Sequence, residues 1–314
     1  VGVHIADVSY FLKADTELDS WASQRATSVY LIHKVIPMLP RLLCEELCSL
    51  NPGVERLAFS VVWKMDLEGN IDDEWFGRSV IKSCAKLTYD MAQGFLNEPE
   101  RKWSALELPP LSNGRSAEEI SWATNQLNRI AKNLRQRRFD SGALRLDQPK
   151  LVFSLDAESG LPNGCSTYQV KDSNKLIEEF MLLANMAVAN KIYKAFPDVA
   201  VLRRHPAPQR KVMREVIELC DSLGLNLNGT SSKNLQESLL KHSGTSEKAL
   251  AIHAVISQLC MRPMKLALYF CTGMLEDEYE YRHYALNVPF YTHFTSPIRR
   301  YPDVMVHRLL AASL

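Results

Sequence analysis

The segment Tyr291-Thr-His-Phe-Thr-Ser-Pro-Ile-Arg-Arg-Tyr301 gathers residue types that bind anions. Ser296 followed by Pro297 reads as a helix N-cap with proline at the first helical position. A helix start offers unpaired N–H groups, and Arg299 and Arg300 stand beside it. Backbone dipole and guanidinium together suit a phosphate or a carboxylate. A Ser-Pro-x-Arg string taken alone is more often a surface cap. A second candidate is Glu178, on the apolar stretch Leu176–Tyr193, which Glu178, Glu179, Asn185 and Asn190 interrupt. This stretch reads as a helix buried inside the protein. Glu178 and Asn185 share one of its faces, and a carboxylate there needs a partner. A salt bridge to a local arginine is the plainest one.

The elements that must position these residues follow from hydropathy patterns. Val1–Leu12 reads as a strand rich in Val and Ile. Leu18–Leu31 has helical spacing, Pro37 and Pro40 punctuate an extended turn, and Leu42–Leu50 is a short helix. Ala58–Met65 alternates, with Phe59, Val61, Trp63 and Met65 on one face, and Glu68-Gly69-Asn70 turns into a second strand, Trp75–Ser83. Ser116 and Glu119 form a capping box for a helix that runs to about Arg138, with Gly142 beyond its end. Leu151–Leu155 and Ser166–Val170 read as a strand pair. After the buried helix come helices over Arg210–Leu223, Leu235–Lys241 and Glu247–Leu266. Strand-like pieces lie at Val199–Leu202 and Ala267–Cys271. Hairpin-paired strands mixed with long helices point to an α+β fold.

Composition bounds the function. The chain has 314 residues, 46% hydrophobic and 23% charged, which is globular. No apolar run reaches about 18 residues, so a membrane span is not expected. The seven cysteines are scattered, and only Cys44 and Cys48 are close. Reduced core cysteines are the expectation. A net charge of +1 argues against a broad basic surface. Any nucleic-acid site is local, a channel rather than a patch. The basic clusters are Arg135, Arg137 and Arg138; Arg203, Arg204 and His205; and Arg299 and Arg300. The chain opens in a strand pattern at Val1 and closes in a helical pattern at Leu314. It is therefore expected to be a piece of a longer protein.

Thr295-Ser-Pro-Ile-Arg-Arg-Tyr301 with Asp303 and His307-Arg-Leu-Leu310 resembles the signature segment of the RNase II/RNB exoribonucleases. His4-Ile-Ala-Asp-Val8, Pro37-Met-Leu-Pro40 with Leu47-Cys-Ser-Leu50, and Lys86-Leu-Thr-Tyr89 resemble further family segments in the right order. So do Ile177-Glu-Glu-Phe-Met181 with Ala184-Asn185, and Arg203-Arg-His-Pro206. Within the family, Pro37–Pro52, Asp73–Arg78 and His283–Arg308 look most like its cytoplasmic, exosome-independent branch, whose substrates include RNAs with 3′ oligouridine tails. The resemblance implies an RNB-type catalytic domain spanning residues 1–314. Its twisted, mixed but mainly antiparallel sheet is surrounded by helices that form an RNA channel. It implies a monomer that hydrolyses single-stranded RNA from the 3′ end, releasing nucleoside 5′-monophosphates with Mg²⁺, or Mn²⁺ in its place.

Residue by residue, the resemblance makes Arg299 the catalytic arginine on the 3′-terminal phosphate, with Arg300 beside it. A guanidinium fork suits two phosphate oxygens. Glu178 matches the glutamate near the terminal ribose, where a 2′-hydroxyl can donate to it, and Glu179 is the second choice. Tyr30 and Tyr89 match tyrosines that contact the last nucleotides, by stacking that ignores base identity. Leu146 aligns where the family often has an aromatic clamp. Arg203 and His205 are candidates for the RNA backbone. The family's metal-binding cluster, Asp-x5-Asp-x-Asp-Asp, would lie just before His4-Ile-Ala-Asp7 and does not occur in the 314 residues. Asp7 is read as structural, and no metal ligand is assigned within the chain. The chain by itself is thus expected to be inactive. Two other readings compete: a non-catalytic RNA-binding module, and a helical interaction scaffold, which has no repeat period to support it.

Overall fold

A computed structural model describes residues 1–104, 106–146, 150–156 and 159–314. The chain opens with strand β1 (Gly2–Ala6), whose Val3 and Ile5 point into the core. The strand ends sooner than the Val/Ile pattern predicts. Asp7 accepts a hydrogen bond from the N–H of Tyr10 and so caps a short helix, α1 (Val8–Phe11). Helix α2 (Glu17–Arg25) follows, then the hairpin β2 (Val29–Tyr30) and β3 (Val35–Ile36), and a π-helical turn over Leu42–Leu47. The helix expected to run to Leu31 therefore stops at Arg25. Tyr30 is strand, not helix.

Strands β4 (Glu55–Met65) and β5 (Ile71–Lys82) form the long hairpin that alternation predicts. Their turn places Gly69 at φ 86°, a left-handed conformation that glycine takes without a Cβ penalty. The sheet order is β1-β4-β5, fully antiparallel, with Ile5 opposite Phe59. Two helices come next, α3 (Tyr89–Asn97) and α4 (Ala117–Asp140). The predicted Ser116–Glu119 capping box starts α4. Hairpin β6 (Leu151–Leu155) and β7 (Pro162–Thr167) turns back earlier than predicted. It leads into the buried helix α5 (Asp172–Ala195).

Strand β8 (Val201–Arg204) pairs with β9 (Leu268–Cys271). Helices α6 (Arg210–Ser222), α7 (Ser232–Lys241) and α8 (Glu247–Met261) are inserted between them. Helix α9 (Tyr301–Ala312) closes the chain. The fold is α+β, as expected. Instead of one sheet, the described strands form a three-stranded sheet and three two-stranded pairs. The only parallel pairings among the described residues are isolated bridges, such as His205 with His283.

The main core packs α5, through Leu176, Phe180, Ala184, Val188 and Ile192, onto the sheet face of Phe59, Val61 and Trp63. Removing one such aromatic ring typically costs about 3–5 kcal/mol. A second core, built on Leu235, Leu239 and Ile256, holds α6–α8 together. A third joins α1, α2 and α9 through Val8, Leu12, Ala22, Met38, Leu39 and Val304. It fixes the segments carrying Tyr30 and Arg299. Of the seven free cysteines, Cys48, Cys220 and Cys260 are buried and Cys165 is exposed. Among the described residues, no helix is long and apolar enough to cross a membrane.

Candidate nucleic-acid interface

Ser296 to Arg299 forms a single turn, in which the N–H groups of Arg299 and Arg300 both donate to Ser296 O, at 3.2 and 3.1 Å. The helix itself starts one turn later, at Tyr301, with Pro302 in its first turn. This corrects the N-cap expected at Ser296. Long-range pairing is the reason. Arg300 is drawn into a bridge with Thr27 and is extended, at φ −138° and ψ 124°. The N–H of Tyr301 donates to Ala26 O at 2.8 Å.

The two arginines then separate in role. Buried Asp303 accepts from Arg300 Nε and Nη2, both at 2.7 Å, and from Ser296 N at 2.7 Å. That bidentate grip saturates the Asp303 side of Arg300. Arg299 is exposed; its guanidinium makes no ion pair among the described residues and bonds Ser296 Oγ at 3.3 Å, while its carbonyl accepts from Ser28 N and Thr27 Oγ1. It is the arginine left available to a ligand. Asp19 ties the same region down from α2. Burial pushes its carboxyl up, but hydrogen bonds from Arg308 and Tyr301 outweigh that and hold it below its ordinary value.

Arg299 lines a cleft of about 340 Å³, a size suited to a small ligand or a nucleotide. Tyr30, Val35, Arg41 and Ile298 line it too. Tyr30 is 61% exposed on its hairpin, so its ring face is free to stack. The structure thus brings together Tyr30 and Arg299, which are 269 residues apart in the chain. Arg41 enters the same cleft, and nothing in the sequence around it points there.

Arg203, Arg299 and Arg300 share a neighbour in His293, which lies outside the cleft lining. Arg203 lies over the ring of Tyr269, 4.6 Å from its centroid, and has no ion-pair partner among the described residues. The hydroxyl of Tyr269 is 2.5 Å from His293 Nδ1. Burial, then the charges of Arg300, Arg203, His283 and Arg299, push His293 down to about 3. Three of the arginines flagged by sequence therefore act on one point. His293 and Tyr269 are additions that the fold alone reveals.

The remaining candidates are placed differently. Tyr89, 46% exposed, opens α3, and its carbonyl accepts from Ser173 Oγ at the start of α5. Glu178 follows along α5, about 7.5 Å further by helical rise. Neither lines the cleft. The sequence placed Glu178 on a buried face, and the structure corrects this. Its side chain is 50% exposed and paired with Arg135 at 2.9 Å. Glu179 is the buried one, 3% exposed, held by Arg135 at 2.8 Å and Arg138 at 2.6 Å. His205 has both ring nitrogens engaged by main chain, Lys265 O at 2.9 Å and Ala285 N at 3.3 Å. Those contacts make it a loop anchor and leave no nitrogen free for RNA. Leu146, partly buried, packs against the core of α6–α8 and does not line the Arg299 cleft.

The described residues do not fit a divalent-metal site. No three His, Cys, Asp or Glu side chains among them converge. Asp7 is engaged by Arg78 Nε at 3.0 Å, Ser9 Oγ at 2.8 Å and Tyr10 N at 3.1 Å. Those three partners tie the Asp7 carboxylate to β5 and to the start of α1.

A family model for the RNB domain matches residues 1–314. The chain is 62% identical over 314 residues to DIS3-like exonuclease 2 of Xenopus tropicalis, covering all of this chain and 38% of that protein. It is 46% identical over 319 residues to a protein of Arabidopsis thaliana named inactive exonuclease DIS3L2, covering all of this chain and 30% of that one. Among solved structures it resembles Mycoplasma genitalium RNase R in complex with ribose-methylated single-stranded RNA. The TM-score is 0.82 at 26% identity, over 98% of this chain and 45% of the other. The chain thus spans 30–38% of the length of these two curated relatives.

Proposed function

Because the chain belongs to the RNB domain family, we propose that it is the RNA-gripping part of a 3′-to-5′ exoribonuclease that releases nucleoside 5′-monophosphates from single-stranded RNA. The observation that carries this reading is the shared cleft of Tyr30 and Arg299. An exposed ring there accepts any terminal base, and a guanidinium that makes no ion pair among the described residues suits the phosphate beside it. Negative charge grows on that phosphate as its bond breaks, so a positioned cation counts most in the transition state. Tyr89 and Glu178, near the start of α5, are assigned to the neighbouring nucleotides, Glu178 through the 2′-hydroxyl. Mg²⁺, or Mn²⁺ in its place, would activate water, held by carboxylates other than those of the described residues. The same reading has the full-length protein act as a cytoplasmic monomer without the exosome, on substrates that include 3′-uridylated RNAs.

The test uses full-length protein, oligouridine and Mg²⁺. Wild type is expected to release 5′-monophosphates. Arg299→Ala should lower the single-turnover rate about a hundredfold, equivalent to ~3 kcal/mol, while affinity falls much less. An unchanged rate with weakened binding would reduce Arg299 to simple backbone grip. The 314-residue chain alone should bind RNA without hydrolysing it. The second reading, a non-catalytic RNA-binding module, is favoured by the similarity to a relative named inactive. Tight binding with no product from the full-length protein would establish it.

A further inference from the structure

Some arginines of this protein are spent on buried carboxylates. Arg78, Arg138, Arg300 and Arg308 each hold a largely buried carboxylate within 3.0 Å. These are committed to the fold. Arg299 and Arg41 are not, and both line the same cleft. The nearest acid to Arg41 is Glu45, one helical turn on, at 3.8 Å, with the two side chains 75% and 61% exposed. At that separation and exposure the pair is loose and easily exchanged. Besides the two guanidinium groups the lining is mostly apolar or aromatic, with Tyr30, Val35, Pro37 and Ile298, and Glu45 is its one acidic residue among the described residues. Charge at two points with apolar surface beside them suits consecutive phosphates and the base or ribose that joins them.

From this we propose that Arg41 is a second phosphate-binding residue of the Arg299 cleft, and that Glu45 is the counter-ion it gives up when an RNA phosphate enters. The proposal rests on the reading of this cleft as the RNA site and adds a specificity device to it. Glu45 competes with the phosphate for Arg41, so a strand too short or too displaced to supply that phosphate leaves the pair closed. Exposure of Arg41 also means that its substitution leaves the packing intact.

The experiment measures affinity of the full-length protein for oligouridine in EDTA, across a series of salt concentrations. Each phosphate contact on a single strand contributes about 0.7 to the slope of log affinity against log salt. Arg41→Ala should reduce that slope by about 0.7 and weaken binding roughly fivefold at low salt, whereas Arg41→Lys should keep the slope. Glu45→Gln should tighten binding about two- to threefold, and that gain should vanish in an Arg41→Ala background. Arg129→Ala, which breaks an exposed pair with Glu68, is the matched-charge control. RNA should also protect Cys44, which lines the cleft, from alkylation, and leave exposed Cys165 reactive. The proposal is overturned if Arg41→Ala behaves like Arg129→Ala, or if the Glu45→Gln gain persists without Arg41. If Arg299→Ala leaves the salt slope unchanged and Cys44 is unprotected, the cleft is not the RNA site and the underlying reading fails with it. If Arg299→Ala lowers the slope and Arg41→Ala does not, only the role of Arg41 falls.

Discussion

Adjacent glutamates on α5 show how one helical step divides structure from function. Glu179 is buried between Arg135 and Arg138, while Glu178 shares Arg135 from the solvent side. Removing one member of a buried, hydrogen-bonded ion pair leaves the other charge uncompensated, at about 3–5 kcal/mol. Glu179→Gln should therefore lower the urea midpoint strongly. Glu178→Gln, at a half-exposed pair, should cost no more than ~0.5 kcal/mol. If Glu178 reads the terminal ribose, the same change should narrow the rate ratio between RNA and RNA ending in one 2′-deoxynucleotide. A Glu178→Gln enzyme with that ratio intact assigns sugar reading to another residue. The sequence marked the pair but not its phase. An apolar helix packed on several sides has no single polar face, so the 100° between neighbours is not legible from hydropathy.

At the level of elements, Asp303 couples the Arg299 turn to α9, since one carboxylate serves both Ser296 N and Arg300. Asp303→Asn keeps the shape and loses the charge. It should destabilise the protein by about 3 kcal/mol and reduce turnover even at temperatures where the protein stays folded. Restored turnover in the folded fraction would show that the turn holds itself without α9. Long periodic elements were legible: the β4–β5 hairpin, the Ser116 capping box and the buried helix α5 all stand close to where alternation, capping and apolar spacing put them. The breaks were not. Ala26 ends α2 at φ 58°, where a helix-forming side chain gives no stop signal. Ser-Pro and Tyr-Pro each look like a helix start, and the choice between them is made by Thr27 and Ala26, far away in the chain. Contacts of that range leave no local trace, so Arg41 reaches the cleft unannounced, and Tyr30 was marked only by the family resemblance.

Across the whole molecule, buried histidines set its response to acid. His283 and His293 are both pushed from 6.5 down to about 3, each first by burial. His205 and Arg203 then add to the effect on His283, and Arg300, Arg203, His283 and Arg299 to that on His293. Burial also lowers His4, His205 and His307. Between these lowered values and 6.5 the unfolded chain binds protons that the folded chain refuses. Stability is then complete above about pH 6.5 and falls steadily as pH drops toward 3. A fully shifted histidine loses about 2 kcal/mol by pH 5. Solvent near the partly accessible rings reduces this to about 1–2 kcal/mol each. The lowered carboxyl of Asp19 acts in the same direction but gives up its share of stability only below the ordinary aspartate range, so it adds nothing to the loss at pH 5. Urea unfolding at pH 7.5 and pH 5 should differ by about 2–4 kcal/mol from His283 and His293 together, and His293→Asn should shrink the difference by about half. Equal midpoints at the two pH values would mean that His283 and His293 take up protons in the folded protein, and that the arginine field around His293 is weaker than the geometry requires.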